Sequence, residues 1–355
     1  MVIRSGLDDY RLLGRSGLRV SPLCLGCLGF GTAWGRGAEL EESRRIFDLY
    51  ADRGGNFVDT ASSYNDGESE IFLGEILDGR RDRMVVATKY SMIIDSTDIN
   101  SGGNHRKNLM MSVERSLRRL KTDYIDLLYV HMWDGTTSVE EIARGLDDLV
   151  RQGKIVYAGL SDIPAWQASR MQTVADLRGW APLVAIQGEY SLVERTPERD
   201  MLPMAAEMGM AATAFAVLAG SLLTDADPMD ELWRRLERPD DDAPLKNHAV
   251  KRHITERKLR IAETARSIAR EIGRSAAQVA IAWVLQGRHG AIPLSGPASA
   301  QQLEENLGAF DVRFEERHLA ALEAVSGISL GFPHEMLQSE VGRQSLFGPF
   351  PRLLR

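Results

Sequence analysis

The sequence predicts a (β/α)8 TIM barrel, and three observations carry that expectation. Eight short runs are apolar throughout rather than alternating, as suits strands buried on both faces of a parallel sheet. Longer stretches between them space their apolar residues at helical intervals. No G-x-G-x-x-G follows the first run, which argues against the doubly wound open sheet, the rival arrangement. The length of 355 residues alone suggests two domains, but barrels of this class exceed about 250 residues as one unit. A single domain over 1–355 is expected.

In chain order the strand candidates are LCLG (23–26), NFVD (56–59), MVVATK (84–89) and YIDLLYVH (124–131). IVYAGLS (Ile155–Ser161), LVAIQGE (Leu183–Glu189), MAATAFA (210–216) and AIPLSG (291–296) complete the set. Between the third and fourth, Leu109, Val113, Leu117 and Leu120 share one helical face. Between the fourth and fifth, Ile142, Leu146 and Leu149 do the same. Ser138 with Glu141, and Ser299 with Gln302, read as capping boxes. Thr196-Pro197 reads as an N-cap followed by proline in the first helical position. Two stretches read as irregular. One is a long loop after the seventh strand, 218–254, rich in Asp, Pro and charge; the other is a C-terminal tail, 327–355, expected over the barrel mouth.

Composition narrows the function. The chain is 44% hydrophobic and 26% charged, with a net charge of −7 and no long basic block. Nucleic acid and anionic membrane are therefore not expected partners. The N-terminus, MVIRSGLDDYRLL, has no apolar signal core. The longest uncharged run, 208–224, is broken by Gly209, Thr213, Gly220 and Ser221 and is shorter than the roughly 20 apolar residues of a membrane span. A cytoplasmic protein is expected. Cys24 and Cys27 form a C-x-x-C, but no second pair accompanies them. A structural zinc site is thus not expected, and two packing residues at a strand end is the plainer reading.

Reactive groups in such a barrel gather at the C-terminal ends of the strands. Asp59, Lys89 and His131 stand at the ends of the second, third and fourth runs, with Tyr64 just past the second. Alone, each has an ordinary explanation: a turn-forming aspartate, a solvated lysine, a satisfied core histidine, a half-buried tyrosine. Together, at adjacent strand ends about 4.8 Å apart, they point to a reaction centre. Lys89 would ease the loss of the Tyr64 proton, making Tyr64 a general acid. Asp59 would hold Lys89, and His131 would orient a carbonyl oxygen by a hydrogen bond. No activated serine or cysteine nucleophile accompanies them. The set suits protonating an oxygen while a hydride, such as that of a nicotinamide, adds to the carbon.

FVDTASSY resembles the F-x-D-T-A-x-x-Y signature of aldo-keto reductases, and ATK and DLLYVH match the family's lysine and histidine segments. SGLRVSPLCLGCLGFG, GKIVYAGLSD, QGEYSLVER and SAQQLEENLGAF resemble further family segments in the right order, so the likeness covers about 10–326. NHRKNLMMSVERSLRRL, HMWDG and LGFP are most similar to the aryl-alcohol dehydrogenase-like branch. The resemblance implies a barrel that binds NADP(H), with a catalytic tetrad of Asp59, Tyr64, Lys89 and His131. It implies that Ser161, Asp162 and Gln187 hold the nicotinamide carboxamide. Phe215 would stack on the ring in place of the family's usual tyrosine.

It further implies that Gly296, Ser299, Gln302, Glu305 and Asn306 hold the adenosine end, with helix N–H groups favouring a phosphate. No Lys or Arg occurs between Arg288 and Arg313, and Ala298 stands where many members have arginine. Ser299, Gln302, Lys246 and Lys251 are the candidates for the 2′-phosphate; NAD(H) stays open. FAVLAGSLLTD departs from the family's Y-S-P-L-A-G-G-L-L-T-G at Val217, Ser221 and Asp225, which changes the backbone choices of the loop that covers the diphosphate.

Trp34, Tyr90, Trp133 and the tail residues Phe332, Phe347 and Phe350 are the candidates for an apolar wall around a small-molecule carbonyl substrate. The expected activity is reduction of an aromatic or other bulky aldehyde or ketone. A ketoreductase of nucleotide-linked deoxysugars or other biosynthetic intermediates is the narrower alternative. A cofactor-sensing auxiliary subunit with little turnover is the alternative from another class. Oxidation of Cys27, just past the first strand, is a candidate inhibitory switch. No residue pattern fixes the oligomeric state.

Overall fold

The computed structural model describes residues 5–225 and 255–348. Eight parallel strands close into a barrel: β1 (Cys24–Gly26), β2 (Phe57–Asp59), β3 (Val85–Tyr90), β4 (Ile125–Val130), β5 (Ile155–Ser161), β6 (Leu183–Glu189), β7 (Ala211–Phe215) and β8 (Ile292–Ser295). β8 pairs with β1 to close the ring. Each strand lies within one of the eight apolar runs except β3, which extends one residue further to Tyr90.

Helices surround the ring: α1 (Leu40–Asp52), α2 (Glu68–Ile76), α3 (Arg106–Arg119), α4 (Val139–Arg151), α5 (Ala165–Arg178) and α6 (Met201–Glu207). α7 (Glu256–Glu271) and α8 (Ala276–Leu285) precede β8, and α9 (Ala300–Leu307) and α10 (Glu316–Ser326) follow it. None of the helices among the described residues is long and apolar enough to cross a membrane. The α3 stripe of Leu109, Val113, Leu117 and Leu120 is buried, as is Ile142, Leu146 and Leu149 of α4. Each such side chain contributes roughly 1.5–3 kcal/mol of burial.

The barrel interior fills by alternation. Phe57, Val85, Ala87, Leu127, Tyr129, Ala185 and Ala211 form one buried cluster. Side chains two apart on a strand share a face, so Asp59 stands over Phe57, Lys89 over Ala87, His131 over Tyr129 and Gln187 over Ala185. The polar layer is thus the top of an apolar stack. The bottom is plugged by a hairpin of Arg11–Leu12 and Arg19–Val20, which adds Leu13 and Val20 to the same cluster. Its turn residue Gly14 (φ 57°) passes so close to the barrel that a Cβ would lie 2.3 Å from the Val184 carbonyl oxygen.

Several local expectations are corrected. Ser138 and Ser299 do cap their helices, accepting from the Glu141 and Gln302 N–H groups. Neither forms a full box: Glu141 accepts from the Arg106 N–H and Gln302 from the Ala298 N–H instead. A complete box occurs at Ser275 and Gln278. Thr196 is no helix N-cap; its hydroxyl donates to Glu194 and it opens a short 3-10 turn, Thr196–Glu198, with α6 starting only at Met201. The tail is not irregular but carries α11 (His334–Gln338) and α12 (Glu340–Phe347). It is tied to the segment after β6, where Arg199 donates to the Ser329 carbonyl and His334 faces Asp200. Most of the loop 218–254, including Lys246 and Lys251, lies outside the described residues.

Candidate active site

Lys89 is fully buried at the end of β3. Its ammonium donates to Asp59 Oδ1, to the Thr60 carbonyl at 2.9 Å and to the Tyr64 hydroxyl at 3.2 Å. The second Asp59 oxygen accepts from Gln187 Nε2 at 3.0 Å. The His131 ring meets the Tyr64 ring edge-on, with centroids 5.7 Å apart. Four strands thus deliver one connected polar cluster. Tyr64 reaches it from a tight turn between β2 and α2. That turn is fixed from below by Arg119 of α3, which donates to the Ser62 carbonyl at 2.8 Å and pairs with buried Glu70. At Gly67 (φ 96°) a Cβ would sit 2.3 Å from the Arg119 guanidinium carbon.

The electrostatics follow from burial and charge. Burial pulls the Lys89 pKa down, but the Asp59 carboxylate and Tyr64 more than reverse this, so Lys89 stays charged. Burial pushes the Tyr64 phenol up; Lys89 opposes that rise and Asp59 adds to it. The net direction is upward. The expected direction of the Lys89 effect holds, since the ammonium eases loss of the Tyr64 proton, but burial outweighs it. Burial, then the Lys89 charge, lowers His131 to about 3, which keeps the imidazole neutral at physiological pH. Its Nδ1 is buried without a hydrogen-bond partner.

A cavity of about 960 Å³ opens above this cluster. Asp59, Tyr64 and His131 line its floor with Leu28, Ser161, Asp162, Gln187 and Phe215. It extends between the loops after β7 and β8, past Gly296, Gln302, Glu305 and Asn306. An elongated cavity with a polar floor and an aromatic face at Phe215 fits a dinucleotide, and eight of the nine predicted cofactor residues line it. Ser299 does not; its hydroxyl is the cap of α9. The α9 start is less open to a phosphate than its sequence suggests. The N–H groups of Ala298, Ala300 and Gln302 already have acceptors in Gln302, Glu42 and Ser299. Burial, then Glu189, pushes the Asp162 carboxyl up to about 6.

The loop after β7 holds together without the glycine and proline it lacks. Ala216, Ala219 and Ser221 adopt positive φ, at 53°, 49° and 79°. Arg266 of α7 donates to the Thr224 and Leu222 carbonyls, and Asp225 accepts from the Ala276 N–H at the start of α8.

The predicted substrate wall is not what lines the cavity. Tyr90 follows inward-facing Lys89, so it points outward; it is buried among the helices and its hydroxyl donates to the Asn104 carbonyl. Trp133 packs edge-on against Trp166 with centroids 6.0 Å apart. The Trp34 indole donates to Asp66 at 3.1 Å. Phe332 and Phe347 are exposed, and Phe350 lies outside the described residues. The sequence reading missed Leu28, which lines the cavity, and the contact of Gln187 with Asp59. Cys24 and Cys27 are free and buried. Burial, then Asp59, pushes both thiols up, which weighs against Cys27 as an oxidation switch and favours a packing role.

The family model described as the Aldo/keto reductase family matches residues 22–326. An aryl-alcohol dehydrogenase of Pestalotiopsis microspora is 36% identical over 344 residues, covering 94% of this chain and 86% of the relative. An NADP(+) aryl-alcohol dehydrogenase of Phanerodontia chrysosporium is 38% identical over 335 residues, covering 90% and 86%. A norsolorinic acid reductase of Aspergillus flavus is 36% identical over 342 residues, covering 93% and 84%.

Proposed function

The chain belongs to the aldo/keto reductase family, and from that premise we propose that it reduces aromatic or other bulky aldehydes and ketones with NADP(H), using Tyr64 as the proton donor. The observation that carries this reading is the Tyr64 phenol, 3.2 Å from a buried, charged Lys89 and facing the cavity floor. A nicotinamide bound along the cavity would supply hydride to the carbonyl carbon. The chain's own groups do the rest. The neutral His131 imidazole donates a hydrogen bond that orients the carbonyl oxygen. Tyr64 gives its proton to that oxygen, and Lys89 stabilises the phenolate left behind. Asp59 and the Thr60 carbonyl hold Lys89 in place. Ser161, Asp162 and Gln187 would bind the carboxamide, and Phe215 would stack on the ring.

The bulky-substrate reading is supported by the loops at the barrel mouth. Leu28, Ile93, Met132 and Trp166, after β1, β3, β4 and β5, are all exposed and would give the entrance an apolar rim. The NADP(H) reading is supported by the relative whose name includes NADP(+), while Gln302, Glu305 and Asn306 along the cavity support a dinucleotide of either kind.

A panel of aromatic aldehydes with NADPH tests the proposal. Tyr64→Phe is expected to lower kcat about 10²–10⁴-fold and leave the NADPH dissociation constant near the native value. A variant that reduces aldehydes normally would defeat the role of Tyr64. Tight NADPH binding by the native protein without turnover of any carbonyl would favour the sensing subunit. Equal dissociation constants for NADPH and NADH would defeat the cofactor preference.

A further inference from the structure

Tyr64 sits at the head of a turn that side chains resist. The three residues after it all have left-handed backbone: Asn65 (φ 46°), Asp66 (φ 55°) and Gly67 (φ 96°). Glycine enters this region freely, asparagine and aspartate less so, and other residues rarely. Non-glycine residues persist there only when their surroundings over-determine them, and such strain collects at functional sites.

One side chain makes three of the bonds that hold the turn. Asn65 is 1% exposed. Its Nδ2 donates to the Leu28 carbonyl at 2.9 Å and the Phe30 carbonyl at 3.1 Å, while its Oδ1 accepts from the Trp34 N–H at 3.3 Å. All three contacts lie in the loop after β1. Neighbouring bonds run the same way. Glu68 accepts from the Thr32 and Ala33 N–H groups at 2.7 and 2.9 Å, and Asp66 accepts from the Trp34 indole. The turn bearing the proton donor and the loop bearing Leu28 are therefore one stitched unit. The Asn65 amide uses both donor hydrogens and its acceptor in the stitching.

We propose that Asn65 is a positioning residue for proton transfer: its carboxamide binds the strained Tyr64 turn to the loop after β1 and so fixes the phenol against Lys89. The inference rests on Tyr64 being the proton donor. It adds that the donor's placement depends on a residue that touches neither substrate nor cofactor. An active-site misplacement of 1 Å costs about 10²-fold in rate, and Asn65, directly after Tyr64, makes three of the bonds that join the turn to this loop.

Two variants test it. Asn65→Gly keeps the left-handed backbone and removes all three bonds. Asn65→Asp keeps the acceptor for Trp34 but turns a carboxylate oxygen toward two carbonyls. Both are expected to lower kcat for aromatic aldehydes about tenfold to 10²-fold, with the NADPH dissociation constant within about twofold of native. The solvent deuterium effect on kcat should rise, because proton transfer becomes limiting. A merely structural role would lower Tm without moving the isotope effect. Tyr64→Phe is measured beside them. If that variant is inactive while Asn65→Gly keeps native kcat and isotope effect, this inference fails alone. If Tyr64→Phe is active, the reading beneath it fails. If neither Asn65 variant yields folded protein, Asn65 is a folding requirement and the positioning role is withdrawn.

Discussion

Lys89→Met probes the centre of the site through stability. The ammonium is fully buried and satisfied by Asp59, the Thr60 carbonyl and the Tyr64 hydroxyl. Methionine fills nearly the same volume, so the main loss is charge and not packing. Asp59 is then left as a buried carboxylate with Gln187 at 3.0 Å as its remaining side-chain donor. Removing one partner of a buried pair costs about 3–5 kcal/mol, and the surviving amide places the expectation near the lower end, about 3–4 kcal/mol. At about 2.1 cal/mol/K per residue, 355 residues unfold with an entropy of about 0.7 kcal/mol/K, so Tm should fall about 4–6 °C. The second arm is Lys89→Met with Asp59→Asn, which removes the orphaned charge and should recover about 1–2 kcal/mol. Urea unfolding and calorimetry read both. Aldehyde reduction should fall about 10²-fold or more in the single variant, since a Tyr64 phenolate would lose its counter-charge. A double variant no more stable than Lys89→Met would refute the reasoning, because Asp59 would not then be the group left uncompensated.

Four further outcomes are expected. With His131 lowered to about 3, the pH profile of reduction should show no histidine limb between about pH 5 and 8; a limb near 6.5 that disappears in His131→Asn would contradict this. The same shift makes the unfolded chain bind the extra proton first, so His131 should erode stability as pH falls from about 6.5 to about 3, and His131→Asn should flatten that part of a denaturation-versus-pH curve. Gly67→Ala adds a Cβ at φ 96° that would meet the Arg119 guanidinium at 2.3 Å; a loss of about 2–3 kcal/mol in urea, with lower kcat, is expected, and native stability would show the turn to be unstrained. Both buried thiols should resist a thiol reagent until the chain unfolds, and Cys27→Ser should be as sensitive to mild peroxide as the native enzyme; protection by that substitution would restore the oxidation switch.

The strands were legible because each is an apolar run, and the tetrad positions because Asp59, Lys89 and His131 close three of those runs with Tyr64 just past one. Period-two alternation explains why Tyr90 was wrongly expected in the substrate wall: next to inward Lys89, it faces the helices. The incomplete box at Ser138 was not legible, since the Arg106 N–H that engages Glu141 arrives only through helix ends meeting in space; the box at Ser299 fails locally, where Gln302 takes the Ala298 N–H four residues earlier. The tail helices carry too few apolar contacts to mark themselves in the sequence; Phe332, Leu337, Val341 and Leu346 are exposed. Asn65 had a signal that went unread. Asn-Asp-Gly directly after the tyrosine is a run of the residue types that best tolerate left-handed backbone.

The energetics of the top layer argue for chemistry over fold. Beneath it the barrel is filled by apolar side chains, with Tyr129 satisfied by Thr213, and one more apolar layer would complete the stack. Replacing a buried ion pair with well-packed hydrophobic residues is often neutral or stabilising by about 1–4 kcal/mol. The fold therefore has no need of Lys89 and Asp59 where they stand. Stability alone does not explain a charged lysine aimed at a phenol, a histidine held neutral beside both, and a left-handed turn stitched to the cavity wall. The proposed role, in which Tyr64 keeps its proton until a carbonyl oxygen takes it and Lys89 then shelters the phenolate, would account for each of them.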